Sequence, residues 1–138
     1  MSKKKPQYFY QQSGVIPYKI ENNELKVLLI TSRKGKKWKI PKGIVEPALS
    51  PSDSAAKEAF EEAGILGKVD KAEIGSYKYF KWGGEISVSL FAMKVERELD
   101  TWEEDFRHRK WVTPEEAVVL VEETELRRVI LRLDRRFY

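Results

Sequence analysis

Apolar and polar positions follow two rhythms along this chain, and the changes from one to the other mark out its elements. Val15 to Ile20 and Leu25 to Thr31 read as strands joined by a Glu21-Asn22-Asn23-Glu24 turn. The second carries the near-continuous Leu-Lys-Val-Leu-Leu-Ile run of a buried strand. Ile74 to Lys81 and Glu85 to Val95 form a predicted hairpin across Trp82-Gly83-Gly84, in which Ile86, Val88, Leu90 and Ala92 alternate with Ser87, Ser89 and Phe91. Arg107 to Val112 is a further short strand.

Helical punctuation appears three times. Ser50-Pro51-Ser52-Asp53 supplies a capping serine, proline at the first helical position and an acid at the third. It predicts a helix from Pro51 to Ala63 that Gly64 stops in left-handed geometry. Ala56, Ala59, Phe60 and Ala63 are the face expected to pack on a sheet. Thr113-Pro114-Glu115-Glu116 repeats the same start chemistry and opens a short helix through about Val121. A last helix follows from Thr124, with Leu126, Val129, Ile130 and Leu133 as its buried stripe. Arg127, Arg128, Arg132, Arg135 and Arg136 spread over its other side, which reads as a solvated face before it reads as a phosphate or nucleic-acid surface.

Strands, one helix, strands, then helices give an α+β or α/β sandwich with a mixed sheet. A chain of 138 residues suits a single domain spanning 1–138, with Met1 to Gln7 as a basic, flexible tail. The 26 basic residues exceed the 22 acidic ones by only four, too small an excess for a nucleic-acid coat, so no nucleic-acid partner is expected. Without cysteine there is no disulfide, no thiolate metal site and no cysteine nucleophile, and any metal must be held by oxygen. No apolar run reaches the roughly 20 residues of a membrane helix. The basic start has no apolar segment behind it to make a signal peptide. A cytoplasmic monomer or homodimer is the expectation.

The chemistry concentrates in Lys57-Glu58-Ala59-Phe60-Glu61-Glu62-Ala63-Gly64-Ile65. At about 100° per residue, Glu61 lies roughly 60° to one side of Glu58 and Glu62 roughly 40° to the other, so three carboxylates share one stripe. Like charges three and four positions apart destabilise a helix. A hard divalent cation such as Mg²⁺, which takes carboxylate and phosphate oxygens, accounts for the cluster. The alternative is a solvated acidic face.

Upstream stands Trp38-Lys39-Ile40-Pro41-Lys42-Gly43-Ile44-Val45-Glu46, and from Gly43 to Ile65 the chain resembles the box of the Nudix hydrolases, G-x5-E-x7-R-E-U-x-E-E-x-G-U with U a bulky aliphatic. Gly43, Glu58, Glu61, Glu62, Gly64 and Ile65 fall on its defined positions, and Lys57 and Ala59 are mild substitutions. Leu49 departs, because an apolar side chain stands where the family has a Glu that supports the Arg of the box. Glu46 is the nearby acid available to compensate in part.

The resemblance implies a Nudix fold, an α/β/α sandwich with the mixed sheet between helices. It also implies hydrolysis of a phosphoanhydride, in a nucleoside diphosphate-linked or polyphosphorylated small molecule, with Mg²⁺ or Mn²⁺. By that analogy Glu58, Glu61 and Glu62 are metal ligands and catalytic groups. The base comes from this trio or from Glu104 in Glu103-Glu104-Asp105, a triplet that reads equally as an exposed turn. Arg33, Lys39, Lys42, Gly43, Arg107 and Arg109 are the residues expected to bind the anionic substrate. Lys34, Lys36 and Lys37 form either part of that cradle or a solvated hairpin tip.

Tyr77, Tyr79, Phe80 and Trp82 offer a base-stacking surface, against which stands the reading of core and cross-strand packing. His108 is given no role. The lead-in to Gly43 and the arginines before Trp111 are similar to hydrolases of diphosphoinositol polyphosphates and dinucleoside polyphosphates. A housecleaning nucleoside triphosphate pyrophosphatase is the alternative enzyme. A catalytically silent Nudix-like binding module is the alternative of another class.

Overall fold

The computed structural model describes residues 4–137. After a single 3-10 turn, Gln7–Tyr10, the chain runs β1 (Gln11–Glu21), β2 (Glu24–Thr31), β3 (Trp38–Lys39), β4 (Lys42–Ile44), α1 (Pro51–Ala63), β5 (Ile65–Val69), β6 (Gly75–Lys81), β7 (Gly84–Glu98), β8 (Arg109–Val112), α2 (Pro114–Leu120) and α3 (Thr124–Phe137). Both expected hairpins form. Asn22 and Asn23 have φ of 53° and 64°, and Trp82 and Gly83 have 55° and 70°, the positive values that a primed two-residue turn needs. Of the tail expected over Met1 to Gln7, Met1, Ser2 and Lys3 lie outside the described residues. The Lys5 backbone N–H donates to Tyr10 Oη at 3.1 Å, and the Lys5 ammonium lies 5.9 Å from the centre of the Trp82 ring.

The sheet is mixed, in the order β3-β2-β1-β7-β5, with β4 on β1, β6 on β7 and β8 on β2. Only the pairing of β1 with β7, from Gln11↔Ser87 to Tyr18↔Lys94, is parallel among the described residues. Strand periodicity then sorts side chains to two faces. Val15, Leu28 and Ile30 meet Ala55, Ala59 and Ala63 of α1, whereas Ile16, Val27 and Leu29 share the opposite core with Leu126, Val129, Ile130 and Leu133 of α3. Each fully buried Leu or Ile contributes about 1.5–3 kcal/mol through lost water contact. This is the α/β/α arrangement expected. Among the described residues no helix is long and apolar enough to cross a membrane.

Helix α1 has the expected limits. Ser50 Oγ accepts from the Asp53 N–H at 3.1 Å, Pro51 begins the first turn, and Gly64 ends it with φ 64°. Its packed face differs from the one expected. Ala55, Ala59 and Ala63 are fully buried, while Phe60 is 45% exposed. Alanines one turn apart let the helix lie close on the sheet, a spacing that a phenyl ring at position 60 would prevent. The packed seam therefore runs beside the acidic stripe rather than opposite it, and Glu62, on the near side, is buried with the alanines.

Strand β8 also starts later than Arg107. The Thr31 backbone N–H donates to the His108 carbonyl at 3.1 Å, and Thr31 Oγ1 accepts from the His108 N–H at 2.9 Å, which holds residues 107 and 108 in the approach to the strand. Strands β3, β4 and β5 are additions to the expected set. The first two are too short to carry a period, and they place the Trp38-to-Gly43 segment against β1 and β2, below α1.

Candidate active site

Antiparallel pairing of β4 with β1, with Ser13 opposite Gly43, brings the Gly43 backbone under the side of α1 that carries Glu58. A Cβ on Gly43 would lie 2.2 Å from Cδ of Glu58 and 2.3 Å from its Oε1, so only glycine leaves the carboxylate its place. One residue earlier, the Lys42 backbone N–H donates to Glu62 Oε1 at 3.3 Å. The short strand thus fixes both acids from below, and at Gly43, expected to bind substrate, the missing side chain leaves room for Glu58.

Glu58 and Glu62 share a hydrogen bond between their carboxyl groups. Loss of water raises the pKa of both. Glu58 is pushed up to about 8, first by burial, then by the charge of Glu62 and the shared bond, then by Glu61 and Glu104. Glu62 is also raised by burial, against the pull of Lys39, the shared bond, Arg107 and the Lys42 amide. Burial raises both carboxyls, so the two titrate together and the shift belongs to the pair. A carboxyl pair that holds a proton at neutral pH is where a dication finds oxygen donors already gathered and desolvated. The residues fit such an ion.

Glu61 takes a different direction. Its Oε2 lies 3.8 Å from Lys57 Nζ, which in turn hydrogen-bonds Glu46 Oε1. Among the described residues no group of three acidic or imidazole side chains is placed to hold a metal ion together. The expected trio shares a stripe, but the roughly 100° turn per residue aims Glu61 toward the lysine and Glu62 toward β4. Burial is the leading cause that raises the Glu61 pKa, with Lys57 opposing it.

The acidic triplet after β7 does reach the site. The Glu104 backbone N–H donates to the Glu61 carbonyl at 3.0 Å, and the Glu104 carboxylate accepts from Arg107 Nε at 3.0 Å and from its Nη2 at 2.7 Å. Arg107 is buried and spends another donor on the Thr31 carbonyl at 2.9 Å. Arg109 donates to the carbonyls of Ala63 at 3.0 Å and Gly64 at 3.4 Å, lying 4.0 Å over the Trp102 ring. It caps the C-terminal end of α1, where a cation is favoured. Two of the three arginines expected on substrate, Arg107 and Arg109, therefore have partners within the protein. Arg33 remains exposed, 3.6 Å from Glu104.

Beside Glu62 lies a 310 Å³ cavity whose lining includes Trp38, Lys39, Ile40, Lys42, Tyr77 and Tyr79. Lys37, Lys81, Glu122, Glu123 and Leu126 complete its walls with Ser32. Lys42 Nζ donates to Gln12 Oε1 and to Tyr79 Oη, each at 2.8 Å, and burial pulls its pKa down to about 8. Lys39 is lowered by burial as well, opposed by Glu62. Lys37 is drawn to Glu122 at 3.3 Å, so one lysine of the hairpin tip belongs to this cavity. The aromatic run splits by strand alternation. Tyr77 is buried and Tyr79 lines the cavity, whereas Phe80 is 79% exposed and Trp82 packs on Phe9 and Tyr10.

Sequence reasoning missed Gln12, Trp102, Glu122 and Glu123. Trp102 Nε1 donates to the Glu62 carbonyl at 3.0 Å and its ring closes over Gly64, where a Cβ would meet it at 2.7 Å. Its place directly before the Glu103-Glu104-Asp105 triplet was the available signal. The others sit far from the box in sequence and arrive only through the sheet, for Gln12, and the connection before α3, for Glu122 and Glu123.

The family model of the NUDIX domain matches residues 11–133. "Nudix hydrolase 21, chloroplastic" of Arabidopsis thaliana is 31% identical over 129 residues, covering 88% of this chain and 65% of that protein. The chain thus spans just under two thirds of that relative's length. "Diphosphoinositol polyphosphate phosphohydrolase 3-beta" of Bos taurus is 26% identical over 120 residues, covering 85% of this chain and 72% of the other. A solved structure of C. elegans Ap4A hydrolase superimposes with a TM-score of 0.79 at 19% identity, covering 94% of this chain and 98% of that one.

Proposed function

We propose that this chain, which belongs to the Nudix family, hydrolyses a phosphoanhydride bond in a polyphosphate that ends in a nucleoside, with Mg²⁺ or Mn²⁺ as its cofactor. The observation that carries the reading is the desolvated Glu58–Glu62 pair beside a cavity that is basic near the acids and aromatic along one wall. Phosphoanhydride cleavage is mostly positioning and charge neutralisation. A divalent cation supplies charge to the phosphate oxygens and acidifies the attacking water. Glu58 and Glu62 would hold it, with Glu61 at the margin of the site.

The chain's own groups divide the remaining work. Lys39 and Lys42 meet the phosphates where the cavity joins the carboxylates. Lys42 is aimed by Gln12 and Tyr79. Glu104 is suited to take the proton from water, because the Glu61 carbonyl fixes its backbone and Arg107 its carboxylate. Arg107 and Arg109 act on this machinery from behind, one holding Glu104 and the other the end of α1.

Glu122 and Glu123 favour a nucleoside over an inositol polyphosphate. A base brings a π face for Trp38 and Tyr79 and ring N–H donors for carboxylates. A fully phosphorylated ring would bring anions against those two acids. The names of the relatives include both substrate types, and the two acids of the cavity wall support the nucleoside reading.

The test is turnover with Mg²⁺ across dinucleoside polyphosphates, inositol pyrophosphates and nucleoside triphosphates. The expected result is release of nucleotide from the dinucleoside polyphosphates, with the highest kcat/KM of the panel. Preference for inositol pyrophosphates would overturn the nucleoside assignment, and no hydrolysis of any would leave the silent binding module.

A further inference from the structure

The Nudix box has a Glu where this chain has Leu49 and an Arg where it has Lys57. The pair that normally braces the helix is therefore missing its acid. The structure shows what stands in that place. Glu46 and Leu49 are the two ends of one turn, closed by the Leu49 N–H donating to the Glu46 carbonyl at 2.9 Å. The Glu46 N–H donates to Ser54 Oγ at 3.0 Å, and Ser54, in the first turn of α1, is buried. The backbone of residue 46 is thereby tied to the helix, and its carboxylate hydrogen-bonds Lys57 Nζ from the loop side. The same ammonium reaches Glu61 Oε2 at 3.8 Å.

We propose that Glu46 is a positioning residue that takes over from the acid absent at position 49, holding Lys57 so that Glu61 keeps its charge for the cation at Glu58 and Glu62. The inference rests on the metal-dependent reading given above. With Glu46 present, one lysine stands between two carboxylates and the group as a whole stays negative. Without it, Lys57 has Glu61 as its remaining acid partner at 3.8 Å or less, and that acid is neutralised. Lys before Glu at this spacing is the weaker helical orientation. The loop acid is thus what holds the lysine, and Glu61 is left a looser contact. The pair adds little to folding stability, since both side chains are about half exposed. Its effect falls on metal binding.

The test is Mn²⁺ titration of the metal-free full chain by calorimetry, beside its melting temperature and steady-state kinetics. Glu46→Gln should weaken Mn²⁺ binding about tenfold, the usual loss when a group supporting a metal ligand is removed. The melting temperature of the metal-free protein and KM for substrate should stay at wild-type values while kcat falls. Adding Leu49→Glu to Glu46→Gln should return most of the affinity, because it restores an acid on the other end of the same turn. Wild-type Mn²⁺ affinity in Glu46→Gln would overturn the inference. So would a double variant as weak as the single one, or a loss of affinity that tracks a fall in melting temperature. If the wild-type protein binds Mn²⁺ and hydrolyses nothing, the proposed activity fails and the Mn²⁺ titration still decides this point.

Discussion

Gly43 and Glu58 are in contact across 15 positions of sequence, and the glycine's missing side chain is the space the carboxylate occupies: a Cβ there would stand 2.2 Å from Cδ. Gly43→Ala must therefore displace Glu58 or push β4 away from α1. A shift of about 1 Å in a catalytic group lowers rates by about 100-fold. That is the expected loss in kcat/KM, measured by steady-state kinetics. Unchanged turnover would mean that Glu58 is not part of the chemistry.

Proton binding by Glu58 makes the metal-free protein sensitive to pH. Its carboxyl ionises at about 8 in the fold against an ordinary value of 4.5, so between these limits the folded state holds more protons than the unfolded one. Stability then falls as pH rises: the contribution is complete below about 4.5 and lost by about 8. Thermal melts in chelator should show this decline, and Glu58→Gln should flatten it while leaving the protein at least as stable at the upper end. An equally steep decline in the variant would place the titrating group elsewhere.

Arg107 and Arg33 both approach Glu104, yet they should behave differently. Arg107 is 5% exposed and satisfies both Glu104 and the Thr31 carbonyl. Truncating it to alanine strands those acceptors and should destabilise the fold by about 3 kcal/mol, read from the denaturant midpoint. Arg33, largely in solvent, should cost under about 1 kcal/mol when replaced. Equal effects would mean that the buried arginine carries no structural load.

These contrasts follow the line between what was legible in the sequence and what was not. Helix α1, its Ser50 cap and its Gly64 stop are local signals, and the structure has them at the expected residues. Asn22-Asn23 and Trp82-Gly83 likewise announce their turns through residues that accept positive φ or sit beside a glycine. The buried side of α1 includes the expected Ala59 and Ala63 but not Phe60, because hydrophobicity alone favours the phenyl ring whereas close helix-to-sheet approach selects alanine. Strands of two and three residues, such as β3 and β4, have no period to detect. Arginine is equally suited to a phosphate and to a helix-terminal carbonyl, so nothing in the sequence around Arg109 says which it serves. The carboxylates of the box share a helix face as expected, but their partners come from β4, from the loop at Glu46 and from Trp102, and only the tertiary fold assigns those.

Substrate choice should respond to the far wall of the cavity. Glu123 lines the same cavity as Lys42, Tyr77 and Tyr79. Glu123→Lys should lower kcat/KM for dinucleoside polyphosphates relative to inositol pyrophosphates by at least about tenfold, equivalent to about 1.4 kcal/mol of discrimination. A ratio that does not move would remove this wall from the account of specificity.

The central claim is that the desolvated Glu58–Glu62 pair holds a divalent cation against a phosphate chain, and anomalous diffraction from crystals of the protein grown with Mn²⁺ and a non-hydrolysable dinucleoside polyphosphate tests it most directly. The account predicts a manganese peak within coordination distance of both carboxylates and of a phosphate oxygen. Full occupancy of the nucleotide with no manganese at Glu58 or Glu62, or with the ion bound by other residues, would contradict it.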